Sequence, residues 1–232
     1  MRALLDLNLH ERVVMSSGQL LNSNTHRNTC SYVSSFPGPV LIADKSSAVL
    51  EAIASELRTS MPGIALNLCS SHSYAMHTLT TACYQVVLFG AQFSETGNFL
   101  LLKQHRACQP GVPILLVAER QERDLVQRAL EQEDVEDIVV WPLLRGQVKN
   151  SVQDGMCLYR TRLTMADRRK RLALLRSDQS LPPKEARRAI RQIEANVKDL
   201  ARVVHDCERD AQRRAIEHFD LLGRSEQEIS HS

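Results

Sequence analysis

Aromatic residues are scarce in this chain. They make up 4% of its 232 residues, and Trp141 is the sole tryptophan. So few rings argue against the stacked platforms on which single-stranded nucleic acids lie. No Walker A loop, GxGxxG, GxSxG or HExxH occurs, so a nucleotide-dependent enzyme and a zinc protease have little support. The six cysteines show neither a CxxC spacing nor a framework, and a reduced, cytoplasmic compartment is the simpler expectation. The opening MRALLDLNLHERVV is broken by Asp6, Glu11 and Arg12 and lacks the form of a signal peptide. Thr59–Ser94 carries no charge and is long enough to span a bilayer. It is rich in Ser, Thr, His, Asn and Gln and contains Pro62-Gly63, which argues against a lipid-embedded helix. No membrane partner is expected.

What is present is a set of short apolar runs. Hydrophobic residues are 43% of the chain, enough for a core, and the length suits one ordinary domain plus an extension. Val40, Leu41 and Ile42 run into Asp44. Val49, Leu50, Ile53 and Leu57 then recur at helical spacing, with Ser46 placed to cap them. Ile64, Leu66 and Leu68 alternate with Ala65 and Asn67. Tyr84–Phe89, Val112–Ala118 and Asp137–Trp141 are continuous apolar runs. Helix-compatible segments separate them, among them 71–82, 97–108 and a charged stretch, Glu119–Glu133. Five strands alternating with helices predict an α/β domain with a parallel sheet covered on both faces.

Val40–Val49 (VLIADKSSAV) resembles the first strand and turn of the receiver domain of two-component response regulators. In that family the first strand ends in two adjacent acids that hold magnesium. The third ends in the aspartate that takes the phosphoryl group, the fourth in Thr or Ser, and the fifth in Lys-Pro. The lengths match from Pro39 to Pro142, and the proline after the fifth strand is present as Pro142. The resemblance implies a flavodoxin-like, doubly wound five-stranded parallel sheet of order 2-1-3-4-5. It also marks departures. Asp44 remains, but Lys45 replaces the second acid. Gly90 stands at the acceptor position, Val117 at the Thr/Ser position and Trp141 at the lysine position. These five residues outline a degenerate receiver pocket. No acid lies between Arg58 and Glu95 to restore it. No catalytic residue, metal or cofactor is therefore expected.

Beyond Pro142 the period changes. Leu144, Val148, Val152, Met156, Tyr159, Leu163 and Ala166 follow helical spacing. After a break at Ser177–Leu181, Pro183 suits a first helical turn. Ala186, Ile190, Ile193, Val197, Leu200, Val204, Cys207 and Ala211 then alternate by four and three, the a/d pattern of a coiled coil. The expected organisation is an arm at 1–38, disordered; a receiver-like domain at 39–146; a helical dimerisation module at 147–223, a long hairpin or coiled coil; and a disordered tail at 224–232. Its seam runs through Ile190, Ile193, Val197, Leu200, Val204 and Cys207, and two hairpins from two chains would form a four-helix bundle.

Three uses compete for such a chain. The first is a non-enzymatic signalling adaptor that forms a homodimer and binds another signalling protein. The second is a histidine phosphotransfer module, because His205-Asp206 resembles the His-Asp box of some histidine-kinase dimerisation helices. The third is a small doubly wound enzyme that merely looks like a receiver. Ser151–Ser232 also carries 17 basic against 13 acidic residues, with runs at Arg168-Arg169-Lys170-Arg171, Arg187-Arg188 and Arg213-Arg214. Binding of nucleic acid by this basic helical region is a further alternative. Charges interleaved with acids more often form the solvated face of a coiled coil, and no helix-turn-helix, zinc or homeodomain pattern supports it.

Overall fold

Val40–Ala43 is buried at every residue, as an uncharged apolar run must be when both faces of a sheet are covered. It is β1 in a computed structural model that describes residues 38–93, 100–131, 135–177 and 183–229. The other strands are β2 (Leu66–Cys69), β3 (Val86–Gly90), β4 (Ile114–Glu119) and β5 (Asp137–Trp141). All pair in parallel, in the order β2-β1-β3-β4-β5. Helices α1 (Ser47–Ser60), α2 (His72–Thr81), α3 (Leu100–Cys108) and α4 (Arg123–Glu131) connect them, and α5 (Gln147–Ser177) and α6 (Pro183–Ile229) follow. The Ser46 hydroxyl accepts the Val49 N–H and caps α1 as expected. The charged stretch after β4 opens with a 3-10 turn, Arg120–Glu122, before α4 begins.

Two cores flank the sheet. One face packs α1 and the start of α5 against Val40, Ile42, Val86, Leu88, Leu115, Val117 and Val139. The other packs α2, α3 and α4 against Leu41, Val87, Phe89, Ile114, Leu116 and Ile138. Gly155 of α5 is a close-approach position: a Cβ there would lie 3.1 Å from Val86 Cγ2.

The division expected at residue 146 coincides with the start of α5 and not with the edge of the core. Val148, Val152 and Met156 are buried in the same cluster as β1 and β3. Beyond Arg162, no described residue of α5 is buried. Helix α6 returns antiparallel along α5. Arg176 pairs with Glu194 (2.7 Å), Arg162 with Glu208 (2.5 Å) and Asp154 with Arg214 (2.7 Å), so residue numbers fall on one helix as they rise on the other. Small side chains bring the far half of α6 onto the domain. Ala211 and Ala215 are buried where α6 meets β5 and the turn Arg120–Glu122. The a/d stripe therefore has an intramolecular neighbour. Ile190, Ile193, Val197, Leu200 and Val204 are half-buried, whereas Cys207 is exposed. On α5, Leu163 and Ala166 are exposed, and Met165, Leu172 and Leu175 take the half-buried positions.

Helix α6 continues through Gly223 to Ile229, past the expected end at 223. A glycine inside a helix costs only about 1 kcal/mol, and Arg224, Glu226, Gln227 and Glu228 are good helix formers. The expected arm, up to residue 37, and the last three residues lie outside the described residues. Cys69, Cys108, Cys157 and Cys207 are free thiols; Cys83 is disulfide-bonded, against the expectation of a fully reduced set. No helix among the described residues is long and apolar enough to cross a membrane.

Candidate functional site

The carboxyl ends of β1, β3 and β4 converge because the strands are parallel and in register. Ala43 pairs with Phe89, and Gly90 with Val117. The residue after β1 is Asp44. Its backbone N–H donates to Cys69 O (3.0 Å), and its Oδ1 accepts the Ser46 N–H (2.7 Å). That bond turns the carboxylate inward over β3. A Cβ built on Gly90 would lie 1.9 Å from Asp44 Oδ2. The Asp44 carboxylate thus occupies the space that any side chain at position 90 would need.

The surroundings of Asp44 are acidic. Burial pushes its carboxyl above the ordinary carboxylate range, and the charges of Glu122 and Glu119 push the same way. The Ser46 N–H bond opposes them. Glu119 ends β4 and Glu122 closes the turn that follows, held by a reciprocal cap in which Glu122 Oε2 accepts the Glu119 N–H at 2.7 Å. Neither glutamate is among the residues singled out from the sequence, although an acid that ends an apolar strand run is a visible signal. Val117 is buried and offers no hydroxyl. Trp141 is half-buried, pairs in register with Glu119 and packs against the α1/α5 core. Lys45 is exposed. Asp44, Gly90 and Val117 therefore come together, Trp141 borders them, and Lys45 faces solvent. Among the described residues, no group of His, Cys, Asp or Glu could hold a metal ion.

A second polar cluster has no counterpart in the sequence reading. Glu136, just before β5, is buried. Its Oε1 accepts from Arg106 of α3 (2.5 Å) and Arg162 of α5 (2.8 Å), and its Oε2 accepts the Ile114 N–H (2.6 Å). Arg162 reaches on to Glu208 of α6. His205 is exposed on α6 and borders this cluster. The basic runs are spread along the hairpin. Arg214 is engaged with Asp154, and Arg213 lies near Asp210 and Glu217 of its own helix.

No protein-family model matches the chain, and no curated protein does. Solved structures do. NtrX from Brucella abortus, in complex with ADP, matches with a TM-score of 0.51 at 13% identity, over 57% of this chain and 30% of that one. An adenylate cyclase structure from Rhodopirellula baltica matches with a TM-score of 0.50 at 14% identity, over 62% of this chain and all of that one (100%). A CheY-like response regulator receiver domain protein from Methanospirillum hungatei shows 13% identity and a TM-score of 0.48 over 54% of this chain and 98% of its own. The fold is a flavodoxin-like, doubly wound five-stranded parallel sheet followed by long helices. The strand order is the one the sequence resemblance implies. Identities this low establish likeness of fold, and the receiver-like part accounts for about half of the chain.

Proposed function

We propose that this chain is a non-enzymatic signalling adaptor of a two-component phosphorelay, not phosphorylated on aspartate. It acts through dimerisation and through binding another signalling protein. The observation that carries the reading is the Asp44 carboxylate lying over Gly90. Phosphoryl transfer to a receiver needs a carboxylate nucleophile, a metal ion to neutralise the developing charge, and a donor cation near the product. Here the acceptor position has no side chain, and the remaining acid fills its place. Val117 and Trp141 supply neither hydroxyl nor ammonium. Incubation with acetyl phosphate and magnesium should leave the protein unlabelled. Gly90→Asp should stay unlabelled too, because its side chain must displace Asp44 and then stands among Asp44, Glu119 and Glu122. Stoichiometric, magnesium-dependent labelling of the wild type would overturn the proposal.

Dimerisation draws support from the apolar residues that the hairpin leaves outside. Leu163 and Leu174, 46% and 57% exposed, lie on one face of α5, three turns apart, and Val203 of α6 is 46% exposed. Pairing two hairpins would bury them. Light scattering at roughly tens of micromolar, a working range for a specific dimer, should give twice the chain mass. Leu163→Glu with Leu174→Glu should give the monomer with unchanged helicity. A wild type that is monomeric there removes dimerisation from the mechanism and leaves the missing phosphoacceptor untouched.

A further inference from the structure

Helix α6 closes a cleft of about 330 Å³ against the sheet domain. Arg106 of α3, Arg162 of α5, and His205, Arg209 and Gln212 of α6 line it. The carboxylates of Glu136 and Glu208 also reach it, but both are engaged. Glu136 holds Arg106 and Arg162, and Glu208 holds Arg162. Among the described lining residues three arginines stand against two carboxylates, with a histidine at the border. Arg162 Nη1 is buried and has no hydrogen-bond partner among the described residues. A buried guanidinium nitrogen without an acceptor is costly, and buried donors in folded proteins are rarely left so. Arg209 is exposed, and its ion pair to Asp206 is long at 3.9 Å. That pair does not hold its guanidinium away from the cleft.

We propose that this cleft binds a small molecule through its phosphoryl group. The donors come from different helices and converge from several sides. That suits a tetrahedral dianion, which offers acceptor oxygens in all directions, whereas a planar carboxylate is satisfied by a single guanidinium fork. The volume is at the lower end for small-molecule sites, enough for a phosphoryl group with a modest organic part. Glu136 contributes by fixing the guanidinium planes of Arg106 and Arg162 before the ligand arrives. Helix α6 provides His205, Arg209 and Gln212, so the site exists only while α6 is docked on the domain. The ligand therefore favours the docked helix by mass action. This site is separate from the Asp44–Gly90 pocket and does not depend on the adaptor reading.

The test is calorimetric titration of the full chain with inorganic phosphate and with glycerol phosphate, at constant ionic strength set by chloride. Wild type should bind both saturably. A tighter ester supports an organic moiety seated in the cleft, and equal affinities make free phosphate itself the ligand. Arg209→Ala with Gln212→Ala removes two donors from positions that carry little packing, and circular dichroism checks that the variant folds. It should bind at least tenfold more weakly, and His205→Ala should weaken binding in the same direction. Arg187→Ala with Arg188→Ala, on the distant basic run, should bind as wild type does. The proposal fails if neither anion binds, if chloride reproduces the response, or if the Arg209/Gln212 variant keeps wild-type affinity.

Discussion

His105 is 1% exposed on the inner side of α3, edge-on to Phe89, and neither ring nitrogen has a hydrogen-bond partner among the described residues. Burial, with the neighbouring Arg106 charge, lowers its pKa to about 4. The fold therefore requires the neutral ring. In the unfolded chain the same ring titrates near 6.5, so its contribution to stability is intact above that value and is lost as pH falls toward 4. The loss approaches about 3 kcal/mol once both states are protonated. Urea unfolding at neutral pH and in mild acid should show His105→Leu losing less stability on acidification than wild type. Equal losses would mean that the ring is not buried as described. At this scale the sequence shows some residues and hides others. Asp44, Gly90, Val117 and Trp141 were legible because the resemblance to receiver domains places them at or near the carboxyl ends of apolar strand runs. His105 was not, because a lone histidine in LLLKQHRAC has no feature that separates an inward from an outward ring. Glu119 and Glu122 become neighbours of Asp44 only through the parallel register of β1, β3 and β4.

Elements are tied together by few polar groups, and Glu136 is the hub. It joins α3, β4 and α5 directly, and α6 through Arg162. Glu136→Gln keeps the shape and removes the charge that two guanidinium groups share. Breaking a buried pair in this way costs roughly 3 kcal/mol or more, and chemical denaturation should show a loss of that order. A change within the roughly 0.5 kcal/mol typical of surface substitutions would show that the network is incidental. The same hub explains where the helix pattern was legible and where it was not. The a/d repeat of α6 marks an apolar stripe but does not say what lies opposite, and much of that stripe faces α5 of its own chain. On α5, Leu163 and Ala166 fit the repeat, yet Arg162 is drawn toward Glu136 and Glu208. With Arg162 turned inward, Leu163 is carried outward and Met165 takes the seam position.

Across the whole molecule, the sheet and the helices form one stability unit at their root. A chain of residues 37–146 loses Val148, Val152 and Met156, which cover Val86 and Leu88. It should be unfolded by circular dichroism and proton NMR. A chain of residues 37–177 keeps that cover and should fold, with β5 exchanging its amide protons faster than in the full protein because α6 no longer lies against it. A stably folded 37–146 would place the core boundary back at the end of the sheet. The five strands were legible as apolar runs, continuous in four of them and alternating in β2, and their order through the resemblance to receiver domains. The docking of α6 was not, because alanines such as Ala211 and Ala215 look alike in a helix whether they face solvent or a strand. The hairpin also has a mechanical side. From Leu158, its last buried residue, α5 runs on to Ser177, an arm of about 28 Å at 1.5 Å per residue that α6 braces. A tilt of about 10° at the root would sweep the tip by about 5 Å, close to the 5.4 Å pitch of one helical turn. A tilt where Ala215 meets the sheet would therefore reach the far end of the hairpin magnified, as a sideways displacement.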